Sequence, residues 1–249
     1  MRRDRTHHAF TLLELMLVVA ILTLLLGTLL PSLAASKDIA RSATCLTNLH
    51  ALSVSMSLYH SAGNGTFWPC YANGSYFWGT SSTPVDKRRS PLLAYCDMGL
   101  KAFWCPSLPW GSYVPQGHVN EPTTTYGYNA WCLDPALWGR KDERGELMTT
   151  KRVEQLKQPG ELFVFADSGL FWAPGGVPIF QNSTSLDPVT LGSWGANRTP
   201  TTHFRHLGRT NALTADGRAA GFELEGGTML MPDYHLGFVG ANNVPHYDQ

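Results

Sequence analysis

Ala9-Phe10-Thr11-Leu12-Leu13-Glu14-Leu15-Met16-Leu17-Val18-Val19-Ala20-Ile21-Leu22 begins an apolar run in which Glu14 is the single charge before Lys37. The uncharged stretch from Leu15 to Ser36 is 22 residues long, and about 20 residues of helix cross a bilayer core. A carboxylate at the edge of such a span costs on the order of 2.5–3.5 kcal/mol on insertion. A lone acid in that position points to a partner for it, and so to a subunit that meets other subunits within the membrane.

Arg2, Arg3 and Arg5 precede the run, with Asp4 the one acid among them. Positive residues stay on the cytoplasmic side, so the leader is expected inside and everything after Leu30 outside. Two plainer readings compete. One is an ordinary signal anchor that tolerates Glu14 near the interface. The other is a cleaved secretory signal, with Ser32 and Ala34 as the small residues of its cleavage site.

Beyond Lys37 the chain turns amphipathic. Ile39, Ala43, Leu46, Leu49, Leu52, Met56 and Tyr59 recur at intervals of three and four, with Lys37, Asp38, Arg41, Asn48 and Ser57 on other faces. Asn64-Gly65 accepts the left-handed backbone that stops a helix. One helix from Phe10 to about Ser61 is predicted, about 78 Å long at 1.5 Å per residue. Its first half is a transmembrane segment over about residues 10–33, and its second half packs on a globular domain spanning residues 63–249.

Composition supports one such domain. The chain has 249 residues, zero formal net charge and 15% charged residues, so no basic block addresses nucleic acid. All eight Trp lie between Trp68 and Trp194 and are read as core and loop packing in preference to a carbohydrate platform. Strand signals are local. Glu161 to Ala166 is a short apolar run between Pro159-Gly160 and Asp167-Ser168-Gly169, Val177 to Gln181 is weaker, and Leu236 to Gly240 suits a terminal strand. Asp216-Gly217 separates Thr210–Ala215 from Arg218–Leu224. It is read as a two-residue hairpin link with both residues at positive φ and Ala215 opposite Arg218.

The segment from Phe10 to Leu22 resembles the N-terminus of type IV prepilins and type II secretion pseudopilins. In that family a prepilin peptidase cuts the basic leader on the cytoplasmic side and the new N-terminus, usually Phe, is methylated. A carboxylate follows four residues later and a helix-kinking Pro twenty-one residues later. Placing the cut between Ala9 and Phe10 puts Glu14 and Pro31 at those positions; the departure is Ala9, where the family usually has Gly. The resemblance implies an α+β, pilin-like fold, in which a long N-terminal helix packs on a loop-rich antiparallel β head. It also implies that Glu14 pairs with the ammonium of a neighbour's Phe10, which offsets the desolvation of both charges and sets the axial register.

The head resembles a narrower group of large bacterial pseudopilin-like proteins. The matching pieces are Cys45 with Thr47-Asn48-Leu49, Tyr59 before Asn64-Gly65, and Phe103-Trp104-Cys105-Pro106-Ser107. Tyr126-Gly127-Tyr128-Asn129, Phe165-Ala166-Asp167-Ser168, and His206 followed after nine residues by Asp216-Gly217 complete the set.

Candidate chemistry in the head is sparse. His203, His206 and Asp216 are a partial metal shell, but His206 is read instead as tethering the hairpin's first strand through a hydrogen bond, and Asp216 as making the turn. Type II major pseudopilins hold calcium in a C-terminal loop. Here Asp233, Asn242, Asn243 and Asp248 supply oxygens without the spacing of a calcium loop. No nucleophile elbow and no phosphate-binding glycine loop is present, and Gly175-Gly176 and Gly226-Gly227 are read as turns. The chain is therefore expected not to be an enzyme and to need no cofactor, with calcium on those oxygens kept as the alternative. Five cysteines in an exported head allow two bridges, and Cys45–Cys105 is the pair expected, against the alternative of buried free thiols.

Two functions stay open. One is a subunit of a type II secretion pseudopilus or type IV pilus-like filament. Its partners are prepilin peptidase, other pilin-like subunits and the assembly machinery, with its leader in the cytoplasm and its head in the periplasm or outside. The other is a monomeric, membrane-anchored exported protein whose head binds or modifies an extracellular ligand.

Overall fold

The computed structural model describes residues 11–63, 65–80, 85–96, 99–108, 123–176, 179–191, 195–224 and 229–249. The basic leader, Ala9 and Phe10, Asn64, Val177 and Gly226-Gly227 lie outside the described residues. The fold is α+β: one long N-terminal helix, α1 (Leu12–Ala62), followed by an antiparallel β head. The chain divides into two units, residues 1–40 and residues 41–249.

In the first unit α1 runs through Pro31, and its apolar side chains from Leu12 to Leu33 are exposed. The helix is long and apolar enough to cross a membrane. Its hydroxyls satisfy themselves on the helix's own carbonyls: Thr23 on Ala20, Thr28 on Leu25, Ser32 on Leu29 and Ser36 on Ser32, all at 2.8–2.9 Å. An apolar solvent offers no other partner, so this self-sufficiency is what a lipid-facing helix requires.

In the second unit the remainder of α1 buries Cys45, Asn48, Leu49, Leu52 and Met56. Leu49, Leu52 and Met56 lie on the expected face, and two of its members and one excluded residue are corrected. Ile39 and Ala43 are exposed, and Asn48, expected outside, is buried, where its amide donates to the Trp104 carbonyl at 2.7 Å. The apolar period alone left Asn48 out of the stripe because a satisfied Asn is as compatible with burial as a Leu.

The strands are β1 (Tyr71–Ala72), β2 (Ser75–Tyr76), β3 (Tyr126–Tyr128), β4 (Phe163–Asp167), β5 (Leu170–Trp172) and β6 (Ile179–Gln181). They continue with β7 (Thr202–His203), β8 (Thr210–Thr214), β9 (Ala219–Phe222) and β10 (Leu236–Gly237). The main sheet is antiparallel with order β3-β4-β8-β9, and β1-β2, β5-β6 and β7-β10 are separate two-stranded ladders. Strand β4 is buried along its whole length, as its continuous apolar run demands, and it pairs on both sides. A register shift between Phe163 and Phe165 marks a bulge against β8. The sequence signals no strand at β3. Gly127 is obligatory in it, because a Cβ there would meet the Ser185 carbonyl oxygen at 2.6 Å.

The core beneath the sheet is aromatic. Phe165 lies 5.7 Å from Trp68, 5.4 Å from Phe77 and 5.3 Å from Tyr128, ring centre to ring centre, and the Tyr128 hydroxyl donates to the Trp68 carbonyl at 2.8 Å. Trp68, Trp78 and Trp131 are buried, consistent with their reading as packing residues.

The β8–β9 hairpin differs in register from expectation. Leu213 opposes Ala219, and the Thr214 N–H donates to Arg218 O, so the loop is the three residues Ala215-Asp216-Gly217. Gly217 takes φ +94° while Asp216 is not among the positive-φ residues. The Asp216 carboxylate instead accepts from the Thr214 hydroxyl and the Arg218 N–H at 2.6 and 3.1 Å. This is the three-residue solution in which only the last loop residue is left-handed. Two-residue links with both positions positive lie elsewhere, at Asn73-Gly74 (φ +52° and +77°) between β1 and β2 and at Leu207-Gly208 (φ +54° and +82°) before β8.

Candidate functional site

Among the described residues, two places carry chemistry. At the start of α1, Thr11 and Glu14 form a reciprocal cap. The Glu14 N–H donates to Thr11 Oγ1 at 3.2 Å, and Glu14 Oε2 accepts from the Thr11 N–H and hydroxyl at 2.9 and 2.8 Å. This capping box satisfies helix-end donors that lipid cannot. The sequence reading had assigned Glu14 only to a neighbouring subunit, although Thr-x-x-Glu was legible.

The second place is a buried cluster that the sequence reading missed. Cys45 comes from α1, Cys105 from the segment after a 3-10 turn (Gly99–Phe103), Asp167 from the end of β4, and His206 from the turn before β8. One ligand atom from each lies within 4.8 Å of all the others, and all four residues are buried. His206 Nε2 is 3.1 Å from Asp167 Oδ2 and 3.3 Å from Cys105 Sγ, and Cys45 Sγ is 3.6 Å from Asp167 Oδ1. Local structure aims each group. The Cys105 N–H donates to Thr125 Oγ1 at 2.7 Å. His206 and Arg209 exchange both backbone hydrogen bonds at 3.0 Å around Leu207-Gly208, both left-handed. The expected tether of the strand's start is thus made by the His206 backbone, which leaves the ring for the cluster.

A further layer surrounds the four. The Asn211 N–H donates to Asp167 Oδ2 at 2.9 Å, the Tyr126 hydroxyl reaches Cys45 Sγ at 3.2 Å, and Ser107 Oγ is 3.3 Å from His206 Nδ1. Buried Arg205 faces Asp167, Nε to Oδ1 at 3.6 Å. Burial pushes the Asp167 carboxyl up, but Arg205 and then His206 outweigh it and hold it below the usual range. Burial and the bond to Cys105 push the Cys45 thiol well up. Cys105 goes down to about 6, because the bonds from Cys45 and His206 and the charge of Arg205 overcome burial and Asp167. His206 is raised to about 9, Asp167 and Cys105 prevailing over desolvation.

A nucleophilic Cys-His pair does not fit this geometry. Such a pair places the thiol on one imidazole nitrogen and the orienting carboxylate on the other. Here Cys105 and Asp167 share Nε2 and Ser107 takes Nδ1, and the four residues are closed to solvent.

The other candidates go elsewhere. His203 Nδ1 accepts from Arg205 Nε at 3.1 Å, and Asp216 stays in its hairpin turn, so the cluster takes His206 but neither His203 nor Asp216. Asp248 pairs with Arg140 at 2.9 Å, and Asn243 exchanges two hydrogen bonds with Thr190 at 2.8 and 2.9 Å. The expected Cys45–Cys105 bridge is not formed: all five cysteines are buried free thiols. The expected partners nevertheless meet in the cluster.

Residues 4–30 match the prokaryotic N-terminal methylation motif. No curated protein and no solved structure matches the chain. The motif implies processing by prepilin peptidase and assembly with pilin-like subunits. Together with the apolar α1 it indicates a membrane-anchored, single-pass chain with a prepilin-like N-terminus.

Proposed function

We propose that the chain is a structural subunit of a type II secretion pseudopilus or a type IV pilus-like filament, and that its task is assembly and not catalysis. The methylation motif at residues 4–30 carries this reading. Cleavage between Ala9 and Phe10 creates an ammonium beside the apolar start of α1. The leader lies in the cytoplasm and the head outside the inner membrane. Once the helix leaves the lipid, its exposed apolar face packs against other subunits, and Glu14 receives the ammonium of a neighbour. The capping box supports this placement, since it pre-orients the Glu14 carboxylate at the end of the helix where that ammonium arrives.

Mass spectrometry of the membrane-bound protein tests the reading. An N-methylated terminus at Phe10 is expected. A mature terminus at Ala35 would show processing by an ordinary signal peptidase and overturn it.

A further inference from the structure

We propose that Cys45, Cys105, Asp167 and His206 form a structural zinc site that fastens the second half of α1 to the β head. A tetrahedral zinc has metal–ligand distances of about 2.0–2.3 Å, which places its donor atoms about 3.3–3.8 Å apart. Taken to the one oxygen Asp167 Oδ2, the separations here are 3.9 Å from Cys45 Sγ and 3.1 Å from His206 Nε2, and Cys105 Sγ lies 3.3 Å from His206 Nε2. These three edges lie within a few tenths of an ångström of that shell and all four ligand atoms lie within 4.8 Å of one another, so zinc enters by side-chain movement. The donor set of two thiolates, an imidazole and a carboxylate suits zinc better than magnesium or calcium, which take oxygen.

The surroundings are those of a metal site. His206 presents Nε2 to the other ligands while Nδ1 meets Ser107 Oγ, the arrangement that fixes the tautomer of a ligating histidine. Asn211 N–H and Tyr126 hydroxyl address the Asp167 and Cys45 ligand atoms. Charge also balances. Zinc with two thiolates and one carboxylate carries one net negative charge, and buried Arg205 beside Asp167 supplies one positive charge. On binding, zinc displaces two protons, the one on Cys45 and the one shared by the Cys105–His206 pair. All four positions of the shell are filled by protein and closed to solvent, which is the form of a structural and not a catalytic site.

The ligands come from α1, the Cys105 segment, β4 and the turn before β8. These are four of the short fragments singled out in the sequence, and their convergence gives them a common role. The two thiols, held as zinc ligands, are also kept from oxidising in an exported domain.

The test uses the full-length chain purified from membranes in detergent, with and without processing at Phe10. Elemental analysis should find one zinc per chain. Chelator-stripped protein given Co²⁺ should develop the absorption of tetrahedral cobalt with thiolate charge transfer, which Zn²⁺ then bleaches. Cys105→Ser and His206→Ala should lose stoichiometric zinc, whereas His203→Ala and Asp216→Ala should keep it. Ser107→Ala should keep the fold and bind zinc about 10-fold more weakly. Folded wild-type protein that takes up neither zinc nor cobalt would overturn the proposal, as would recovery of Cys45 and Cys105 joined as a disulfide in the exported protein.

Discussion

Thr11 and Glu14 cap α1 reciprocally: the Glu14 N–H donates to the Thr11 hydroxyl oxygen at 3.2 Å, and the Thr11 N–H donates to Glu14 Oε2 at 2.9 Å. One carboxylate therefore has a local task in its own helix and, in the proposed filament, an intermolecular one. The two are separable. Glu14→Gln retains the capping box, since Gln also serves at that position, but removes the charge. Glu14→Val removes both. Each variant should insert and be processed, and each should fail to assemble, because the neighbour's ammonium loses a partner worth on the order of 3–5 kcal/mol when buried. Normal filament yield from Glu14→Gln in a complemented strain would disprove the pairing.

Ser53 on α1 donates to the Gly217 carbonyl at 2.8 Å, and a Cβ at position 217 would come within 2.9 Å of that hydroxyl oxygen. Gly217→Ala should cost about 1–2 kcal/mol from its left-handed backbone, plus the collision with Ser53. Ser53→Ala should cost about 1 kcal/mol. The double variant should lose less than the two together, because the shorter side chain makes room. Denaturant titration measures the cycle, and strict additivity would show that the contact carries no energy.

Tyr247 brings the C-terminal segment into the core. It is fully buried, and its hydroxyl lies 2.9 Å from Thr202 Oγ1 and accepts from the Val239 N–H at 3.0 Å. Tyr247→Phe leaves both groups buried without that partner and should destabilise the head by about 1–3 kcal/mol. Tyr247→Ala should cost about 3–5 kcal/mol. A thermal melt of Tyr247→Phe that matches the unsubstituted protein would assign the loss in Tyr247→Ala to the ring alone.

Burial, with Asp134 adding to it, pushes the Cys70 thiol up to about 12, and burial is also the main cause of Cys132 rising to about 11. The thiolate is the reactive form, so both should resist alkylation at neutral pH in the folded protein and react only on unfolding. Rapid labelling of either in native protein, read by peptide mass spectrometry, would show that this part of the core opens.

What could be read along the chain were features that neighbours in sequence create for each other. The apolar run with one carboxylate decided the long helix, and the continuous apolar stretch of β4 decided a buried strand. Asp216-Gly217 decided a reversal. Asn73-Gly74 and Thr11-x-x-Glu14 were equally local signals and were legible, though passed over. Only the tertiary structure decided the hairpin's register, because Leu162 and Pro159 take the Ala215 and Asp216 N–H groups and Ser53 of α1 holds the Gly217 carbonyl, so the loop holds three residues. It also decided that Asn48 joins the buried face of α1, since its amide finds an acceptor on Trp104. Above all it decided the cluster. In the sequence, Asp167 ends a strand, Cys105 precedes a proline, His206 precedes a turn and Cys45 lies on a helix. Each has an adequate local reading, and no period or spacing links them. Ligand geometry is a property of distances in space, and these four side chains acquire it only when the sheet and α1 close over the same point.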